Sequence, residues 1–110
     1  MANNYQEQLK NLLSITVKEQ ASDLHISGGH PPVLRISGKL VPLVKNKKFG
    51  AEDTKGLAQA ILTEEQWQRF LKEREIDLSY SFENNRFRIN IFFQEGEAAM
   101  ALRLIPFSIK

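Results

Sequence analysis

The last third of the sequence alternates apolar and polar residues over two adjoining segments, and this pattern restricts the fold more than any other feature. The apolar members are Ile76, Leu78, Tyr80 and Phe82 in the first segment, and Phe87, Ile89, Ile91 and Phe93 in the second. An alternation of period two is typical of a β-strand with one face on a core and the other in solvent. The Asn84–Asn85 pair between the segments suits a two-residue hairpin turn. We therefore predict an antiparallel hairpin with a continuous apolar row along one face.

A turn at Asn84–Asn85 also predicts the register of this hairpin. It places Phe82 opposite Phe87 and Ile76 opposite Phe93, so that the two apolar rows coincide. A shift by one residue would instead turn every apolar side chain of one strand to the other face. The match of the two rows therefore supports this register.

A third strand is predicted from about Ala98 to Ile105, between a turn at Glu95–Gly96 and Pro106. With a two-residue turn, Arg88 lies directly opposite Arg103. Like charges in that position destabilise a sheet by a few tenths to about 1 kcal/mol, so the pairing requires an explanation. A three-residue turn would shift the register by one and remove the pairing.

The chain before this meander is predicted to contain one long helix and several short elements. Apolar residues recur at helical spacing over residues 4–20, which indicates an amphipathic helix. The next predicted segments are a strand at 21–27, a Gly/Pro loop at 28–32, strands at 33–37 and 39–43 around a turn at Ser37–Gly38, and a basic, solvated loop at Lys45–Phe49.

Two more helices are predicted between that loop and the hairpin. The first runs from about Ala51 to Leu62, and Thr63 is the N-cap of the second, with Gln66 completing a capping box. Leu62 is expected to pack on Trp67 as a hydrophobic staple. The residues predicted to face inward are Leu57, Ala58, Ile61 and Leu62 in the first helix and Trp67, Phe70 and Leu71 in the second. The order of elements predicts an α+β fold with an antiparallel sheet and flanking helices.

Composition sets limits on the class of protein. The chain has 110 residues, of which 42% are hydrophobic, so we expect residues 1–110 to form a single folded domain. A net charge of +2 is too small to indicate a nucleic acid or an anionic membrane as partner. The absence of cysteine excludes disulfides, thiol catalysis and thiolate metal sites. No signal peptide or membrane-spanning stretch is visible, which favours a soluble cytoplasmic protein.

The sequence shows no motif of an enzyme active site. It contains neither the phosphate loop G-x-x-x-x-G-K-S/T nor the patterns G-x-G-x-x-G and G-x-S-x-G. His25 and His30 lack the spacing of a zinc-binding pair. We interpret His25 as a structural residue, partnered by Asp23 or by backbone, and His30 as solvated. We expect no catalytic residue, metal or cofactor within this chain.

One group of polar residues has a possible binding function. Arg86, Arg88, Asn90 and Arg103 share the outer face of the meander with Phe92. Guanidinium groups match the geometry of phosphate, so this face could hold an anion or dock another domain. The pattern alone favours a solvated face, with Arg86 paired to Glu83. A single-stranded nucleic acid platform is the third interpretation, and it is disfavoured because Phe92 is its only stacking residue.

Three segments of the chain resemble a known family. They are Glu19–Gly29 followed by Pro31–Pro32, Arg35 and Gly38; Arg86–Gln94; and Ala101–Pro106. In this order they resemble the N-terminal signature, the R-x-R-V-N-x-F-x-Q strand and the closing A-x-R-x-I-P of the type IV pilus retraction (twitching motility) ATPases. The resemblance extends from about residue 7 to residue 106.

The resemblance implies a PAS-like N-terminal domain of a hexameric secretion-superfamily motor. A RecA-like ATPase domain with the Walker motifs would follow it and is absent from this chain. ATP and Mg²⁺ would belong to the parent protein, with ATP in the cleft between the two domains. The residues implied as phosphate contacts are Arg88, Arg103 and Arg86, and those implied as structural or interface residues are Asp23, His25 and Asn90.

The resemblance also implies partners: the chain's own ATPase domain, neighbouring subunits of a homohexamer and the inner-membrane pilus machinery, with no nucleic acid. ATP-driven movement between domains would power pilus disassembly from the cytoplasmic side. The sequence departs from many relatives at Ser37, where they have Asp, and at Glu95 and Glu97, where a basic residue is common. A related pilus-assembly or type II secretion ATPase, and a stand-alone PAS-like adaptor that binds a ligand or protein, remain as alternatives.

Overall fold

The computed structural model describes residues 4–43 and 48–106. The helices are α1 (Tyr5–Lys18), α2 (Ala51–Ile61) and α3 (Glu64–Glu73). The strands are β1 (Asp23–Ile26), β2 (Val33–Ile36), β3 (Lys39–Pro42), β4 (Glu75–Phe82), β5 (Asn85–Gln94) and β6 (Glu97–Leu104). Within these residues, no helix combines the length and the apolar character that crossing a bilayer would require.

The strands form one six-stranded sheet in the order β3-β2-β1-β6-β5-β4, and all neighbours run antiparallel. Two meanders that are local in sequence, β1 to β3 and β4 to β6, join where β1 pairs with β6. The predicted α+β fold with an antiparallel sheet and flanking helices is confirmed. Pairing of β1 with β6 brings together residues that are 80 positions apart in the sequence, such as Asp23 and Arg103.

The core lies between one face of the sheet and the helices. Phe87, Ile89 and Ile91 of β5 are fully buried, whereas Arg86 and Arg88, which alternate with them, are exposed. The buried hydrophobic side chains of all three helices belong to the same cluster as these strand residues. The other side of the sheet, called the open face below, carries the side chains that alternate with the core residues.

The register of the first hairpin differs from the prediction. The turn consists of Glu83–Asn84 rather than Asn84–Asn85, and Phe87 lies opposite Tyr80 instead of Phe82. The shift amounts to two positions along the partner strand. Because side chains alternate with a period of two, both registers superimpose the apolar rows, and the pattern could not distinguish them.

The second hairpin agrees with the prediction. Glu95 and Gly96 form the turn, with φ angles of 52° and 83°, and Gln94 pairs with Glu97. Arg88 therefore lies opposite Arg103. The like-charge pairing is a feature of the fold and needs a physical account.

The capping box at the start of α3 is confirmed. The Gln66 backbone N–H donates to Thr63 Oγ1 at 3.1 Å, and the Thr63 N–H donates to Gln66 Oε1 at 2.9 Å. Trp67 and Phe70 are buried as predicted, but Leu71 is 41% exposed, so its assignment to the core is wrong. The helix has only ten residues and buries a narrow stripe, with Leu71 beyond its edge.

Phe49 corrects the prediction of a solvated loop. Its residue is only 5% exposed and belongs to the core. The Gly29 N–H donates to the Phe49 carbonyl at 2.7 Å, and the Phe49 N–H donates to the His30 carbonyl at 3.2 Å. These bonds attach the segment before α2 to the loop after β1. The basic part of the predicted loop, residues 45–47, lies outside the described residues.

A close contact fixes α1 against α2. A Cβ atom at Gly56 would overlap the ring of Tyr5, so glycine is what lets the ring approach the α2 backbone. The Tyr5 hydroxyl donates to Asp53 Oδ1 at 2.9 Å. The first residue of α1 is thereby held on the first two turns of α2.

Candidate functional site

One row of opposed residues crosses the open face from edge to edge. From β4 to β3 its members are Ser79, Arg88, Arg103, Asp23, Arg35 and Leu40. We call the four charged members, Arg88, Arg103, Asp23 and Arg35, the arginine row. The row places three guanidinium groups and one carboxylate on four adjacent strands.

Asp23 lies in the middle of the arginine row and is only 7% exposed. Arg103 Nε donates to Asp23 Oδ1 at 3.1 Å, and Arg35 Nε lies 3.9 Å from Asp23 Oδ2. The Ser22 hydroxyl donates to the same Oδ2 at 2.7 Å. The carboxylate is therefore ligated from both neighbouring strands.

These contacts keep Asp23 ionised. Burial of the carboxylate by itself would raise the pKa of Asp23. Hydrogen bonds from Ser22 and Arg103 act in the opposite direction, and so do the positive charges of Arg103 and His25. Together they hold the pKa of Asp23 below its ordinary value. Asp23 is thus a fixed negative charge at neutral pH.

Arg88 has a looser partner. Its Nε lies 3.8 Å from Asp77 Oδ1, and the two side chains are 70% and 54% exposed. An ion pair with that exposure contributes about 0–1 kcal/mol. Each member of the opposed Arg88–Arg103 pair therefore has its own carboxylate, which reduces their repulsion.

The hydrogen bonds leave much of the arginine row's donor capacity unused. Within residues 4–43 and 48–106, no hydrogen bond engages the Nη atoms of Arg88 or Arg103. Their side chains are 70% and 72% exposed. Adjacent guanidinium groups with free Nη donors can bind an anion bidentately, and phosphate fits them well.

The other predicted site residues share this face with less direct geometry. Arg86 is exposed, lies opposite Ser81 rather than opposite Glu83, and lines a surface cavity of about 400 Å³ at the Pro106 end of the sheet. Among the described residues there is no ion pair between Arg86 and Glu83. The proposed Arg86–Glu83 pairing is therefore wrong, because it depended on the incorrect register.

Asn90 and His25 lie in the row next to the arginine row, on either side of Ala101. Asn90 Nδ2 donates to Glu75 Oε2 at 3.0 Å and so connects β5 to β4. His25 is half-buried and lies near enough to Asp23 to favour its ionised form. These contacts suit the structural role that the sequence suggested for Asn90 and His25.

Sequence reasoning missed the place of Arg35 in the site. Arg35 was noted for the family signature but not among the candidate contacts, because the pairing of β2 with β1 was not predicted. That pairing sets Arg35 opposite Asp23, and Arg35 Nη1 also donates to the Gly38 carbonyl at 3.2 Å. The Asp23–Arg103 contact was missed as well, since the two residues are 80 positions apart.

Comparisons with known proteins place this geometry in context. No protein-family model matches the chain. The type IV pilus retraction ATPase PilT of Pseudomonas aeruginosa PAO1 is 33% identical over 103 residues, which cover 89% of the chain. The type IV pilus ATPase PilU of the same organism is 29% identical over 103 residues, which cover 93% of the chain.

A solved structure agrees with these relatives. The crystal structure of the pilus retraction motor PilT with bound ADP superimposes with a TM-score of 0.83 and 32% identity over 92% of the chain. The resemblance to the pilus ATPases is therefore confirmed. The chain spans only 28% of the length of PilT, 27% of PilU and 30% of the crystallised motor.

Proposed function

We propose that this chain, a homologue of the type IV pilus ATPases PilT and PilU over 89% and 93% of its length, acts as the N-terminal domain of a pilus retraction motor. In this proposal it is a PAS-like domain that precedes a RecA-like ATPase domain in the parent protein. The short share of each relative that the chain spans, near 30%, supports a role as one part of a larger ATPase.

The observation that carries the proposal is the opposed Arg88–Arg103 pair on the open face. Like charges directly opposite each other are unfavourable in a sheet. A polyphosphate between them would turn that cost into a binding contribution. We therefore place the open face against the nucleotide, with Arg88 and Arg103 as contacts to its phosphates and Arg86 at the margin.

The remaining parts of the proposal follow from this placement. ATP with Mg²⁺ would occupy the cleft between this domain and its own ATPase domain. The domain would also dock on the ATPase domain of the neighbouring subunit in a homohexamer, and ATP-driven movement would then disassemble the pilus from the cytoplasmic side of the inner membrane. The bound ADP in the PilT crystal structure supports a nucleotide as the relevant ligand.

The chain by itself would not be an enzyme. The sequence contains no phosphate loop of the Walker A type. Hydrolysis would therefore take place on the parent protein's ATPase domain, with this domain supplying positive charge. We expect the isolated chain to bind nucleotide weakly, because it would form only one wall of the site.

The test begins with the gene that encodes this chain. If a phosphate-loop motif follows the codon for Lys110, the ATPase activity of the full-length protein is measured with Arg88→Ala and Arg103→Ala. Loss of a charge-assisted phosphate contact costs about 1.5–3 kcal/mol, so we expect activity to fall by about tenfold or more. Arg69→Ala, an exposed arginine on α3, is the matched control. Unchanged activity in both open-face variants would refute the phosphate role.

The direction of the motor is tested separately in cells. Deleting a retraction motor should abolish twitching while pili remain on the surface, because assembly continues without disassembly. Deleting an assembly motor should remove the pili themselves. Counting surface pili in the deletion strain by electron microscopy therefore distinguishes retraction from assembly, and loss of twitching distinguishes retraction from secretion.

A further inference from the structure

A buried carboxylate in the middle of a proposed anion site is unexpected from charge alone. Asp23 lies between Arg103 and Arg35 and lowers the positive charge that an approaching phosphate would meet. If attraction were the only requirement, a neutral residue at this position would serve better. The hydrogen-bond geometry gives a reason for the carboxylate.

Both arginines face Asp23 with the same atom of the guanidinium group, Nε. Arg103 donates from Nε at 3.1 Å, and the nearest nitrogen of Arg35 is also Nε, at 3.9 Å. A hydrogen bond at Nε fixes the side of the guanidinium plane nearest the backbone. The Nη donors of Arg103 are then left for a ligand, in the fork geometry that suits phosphate oxygens.

Arg35 is held at a second point. Its Nη1 donates to the carbonyl of Gly38 at 3.2 Å, within the turn between β2 and β3. Gly38 has a φ of 81°, a conformation that glycine adopts without strain. The side chain of Arg35 is nevertheless 42% exposed. It is therefore oriented by the protein and still accessible to a ligand.

We propose that Asp23 is a positioning residue, which orients Arg103 through its hydrogen bond, and that Arg103 and the nearby Arg35 both present guanidinium donors to a polyphosphate on the open face. This inference rests on the proposed function, and it adds Arg35 as a phosphate contact. Orienting the donors before binding removes the entropy cost of ordering two long side chains in the complex. The smaller entropy cost of binding offsets the electrostatic attraction that is lost because Asp23 neutralises part of the positive charge.

Asp77 provides the matched control. It also lies on the open face and faces an arginine, but its distance to Arg88 Nε is 3.8 Å, and both side chains are more than half exposed. Among the described contacts no hydrogen bond joins the two. Asp77 therefore contributes charge without fixing geometry, whereas Asp23 contributes both.

The experiment is a titration of the 110-residue chain with inorganic tripolyphosphate at neutral pH, in which binding is measured from the NMR shifts of the backbone amides. By charge alone, Asp23→Asn and Asp77→Asn should both tighten binding. If Asp23 positions Arg103, Asp23→Asn should weaken binding about tenfold, which corresponds to about 1.4 kcal/mol. Asp77→Asn should leave affinity equal or slightly higher. Equal or tighter binding by Asp23→Asn would overturn the positioning role.

A second variant keeps the test decisive if Asp23→Asn does not fold. The Arg35 side chain is 42% exposed, so Arg35→Ala should fold and should weaken tripolyphosphate binding about fivefold or more, by loss of one charged contact. Arg69→Ala should not change the affinity. Unaltered binding in Arg35→Ala overturns the inference.

The arms of the experiment separate this inference from the proposed function. If Arg88→Ala and Arg103→Ala leave binding unchanged, the proposed function fails. If those two variants weaken binding but Asp23→Asn and Arg35→Ala do not, only the positioning role fails. A weakening by all four supports both.

Discussion

Asp23 illustrates at the scale of a single residue how a polar group is accommodated beside a core. It is nearly buried, yet each of its oxygen atoms accepts a hydrogen bond, one from Arg103 and one from Ser22. A buried carboxylate is tolerated only when it is paired in this way. Its low pKa therefore expresses a contribution to folding stability.

This gives a prediction for the pH dependence of stability. The pKa of Asp23 is lower in the folded chain than in the unfolded chain, so its contribution is complete above an unfolded pKa of about 3.9 and is lost as pH falls through the folded value. Asp23→Asn should cost about 1–2 kcal/mol at pH 7, and the difference from wild type should shrink towards pH 3. Urea unfolding at both pH values measures it.

Asp77→Asn is the control for that measurement, because its carboxylate is more than half exposed. It should change the free energy of unfolding by less than about 0.5 kcal/mol at either pH. A constant difference between wild type and Asp23→Asn from pH 7 to pH 3 would contradict the ionised, hydrogen-bonded state described for Asp23.

At the scale of secondary-structure elements, the contact between Tyr5 and Gly56 sets the distance between α1 and α2. Alanine is a better helix former than glycine by about 1 kcal/mol. Overlap with the Tyr5 ring should cost about 1–3 kcal/mol and exceed that gain. We therefore expect Gly56→Ala to destabilise the chain in thermal unfolding.

The sign of that effect should reverse when the ring is removed. In a Tyr5→Ala background the three heavy atoms nearest to a Cβ at position 56, all in the Tyr5 ring, are removed, and Gly56→Ala should stabilise by about 0.5–1 kcal/mol. Destabilisation in both backgrounds would show that another neighbour excludes the side chain.

A second prediction at this scale concerns the start of α3. Thr63→Ala removes the side-chain oxygen that accepts from the Gln66 N–H and should cost about 1 kcal/mol. Thr63→Ser keeps that oxygen and should cost much less. Equal losses in the two variants, measured by urea unfolding, would mean that the methyl group rather than the hydroxyl matters.

The elements also show what a sequence pattern can and cannot specify. The capping box was predictable because its partners, Thr63 and Gln66, are three residues apart and their geometry is local. The turn of the first hairpin was misplaced because alternation specifies a face but not which of two equivalent registers forms. Phe49 was missed because a lone aromatic residue among basic residues has no periodicity to reveal its burial.

At the scale of the whole molecule, the edges of the sheet differ in how they are supported. All four residues of β3 are exposed, and Leu40 is 57% exposed. By contrast, α3 packs against β4 at the other edge. The central strands β5 and β6 have partners on both sides and residues in the core.

We therefore predict a gradient of amide hydrogen exchange across the sheet. Amides of β5 and β6 should exchange only through global unfolding, whereas those of β3 should exchange through local opening at least about a hundredfold faster. Amides of β4 that pair with β5 should resemble the central strands. Equal protection of β3 and β6 in exchange followed by NMR would contradict this prediction.

The site as a whole depends on long-range pairing that no local pattern contains. Arg88 and Arg103 were predictable as neighbours because one short turn joins their strands. Asp23 and Arg35 complete the arginine row only because β1 pairs with β6 and β2 with β1. Strands that are distant in sequence can be arranged in many orders within an antiparallel sheet. Which order forms depends on how the whole core packs.

The alternation along β5 has a consequence for the divergence of such domains. Phe87 and Ile89 are fully buried, while Arg86 and Arg88 beside them reach solvent. Changes at the first pair are limited by volume, and changes at the second only by charge and by what they bind. The buried and the exposed residues of β5 can therefore evolve at separate rates. Related domains can keep the same fold while single substitutions change the side chains of the open face.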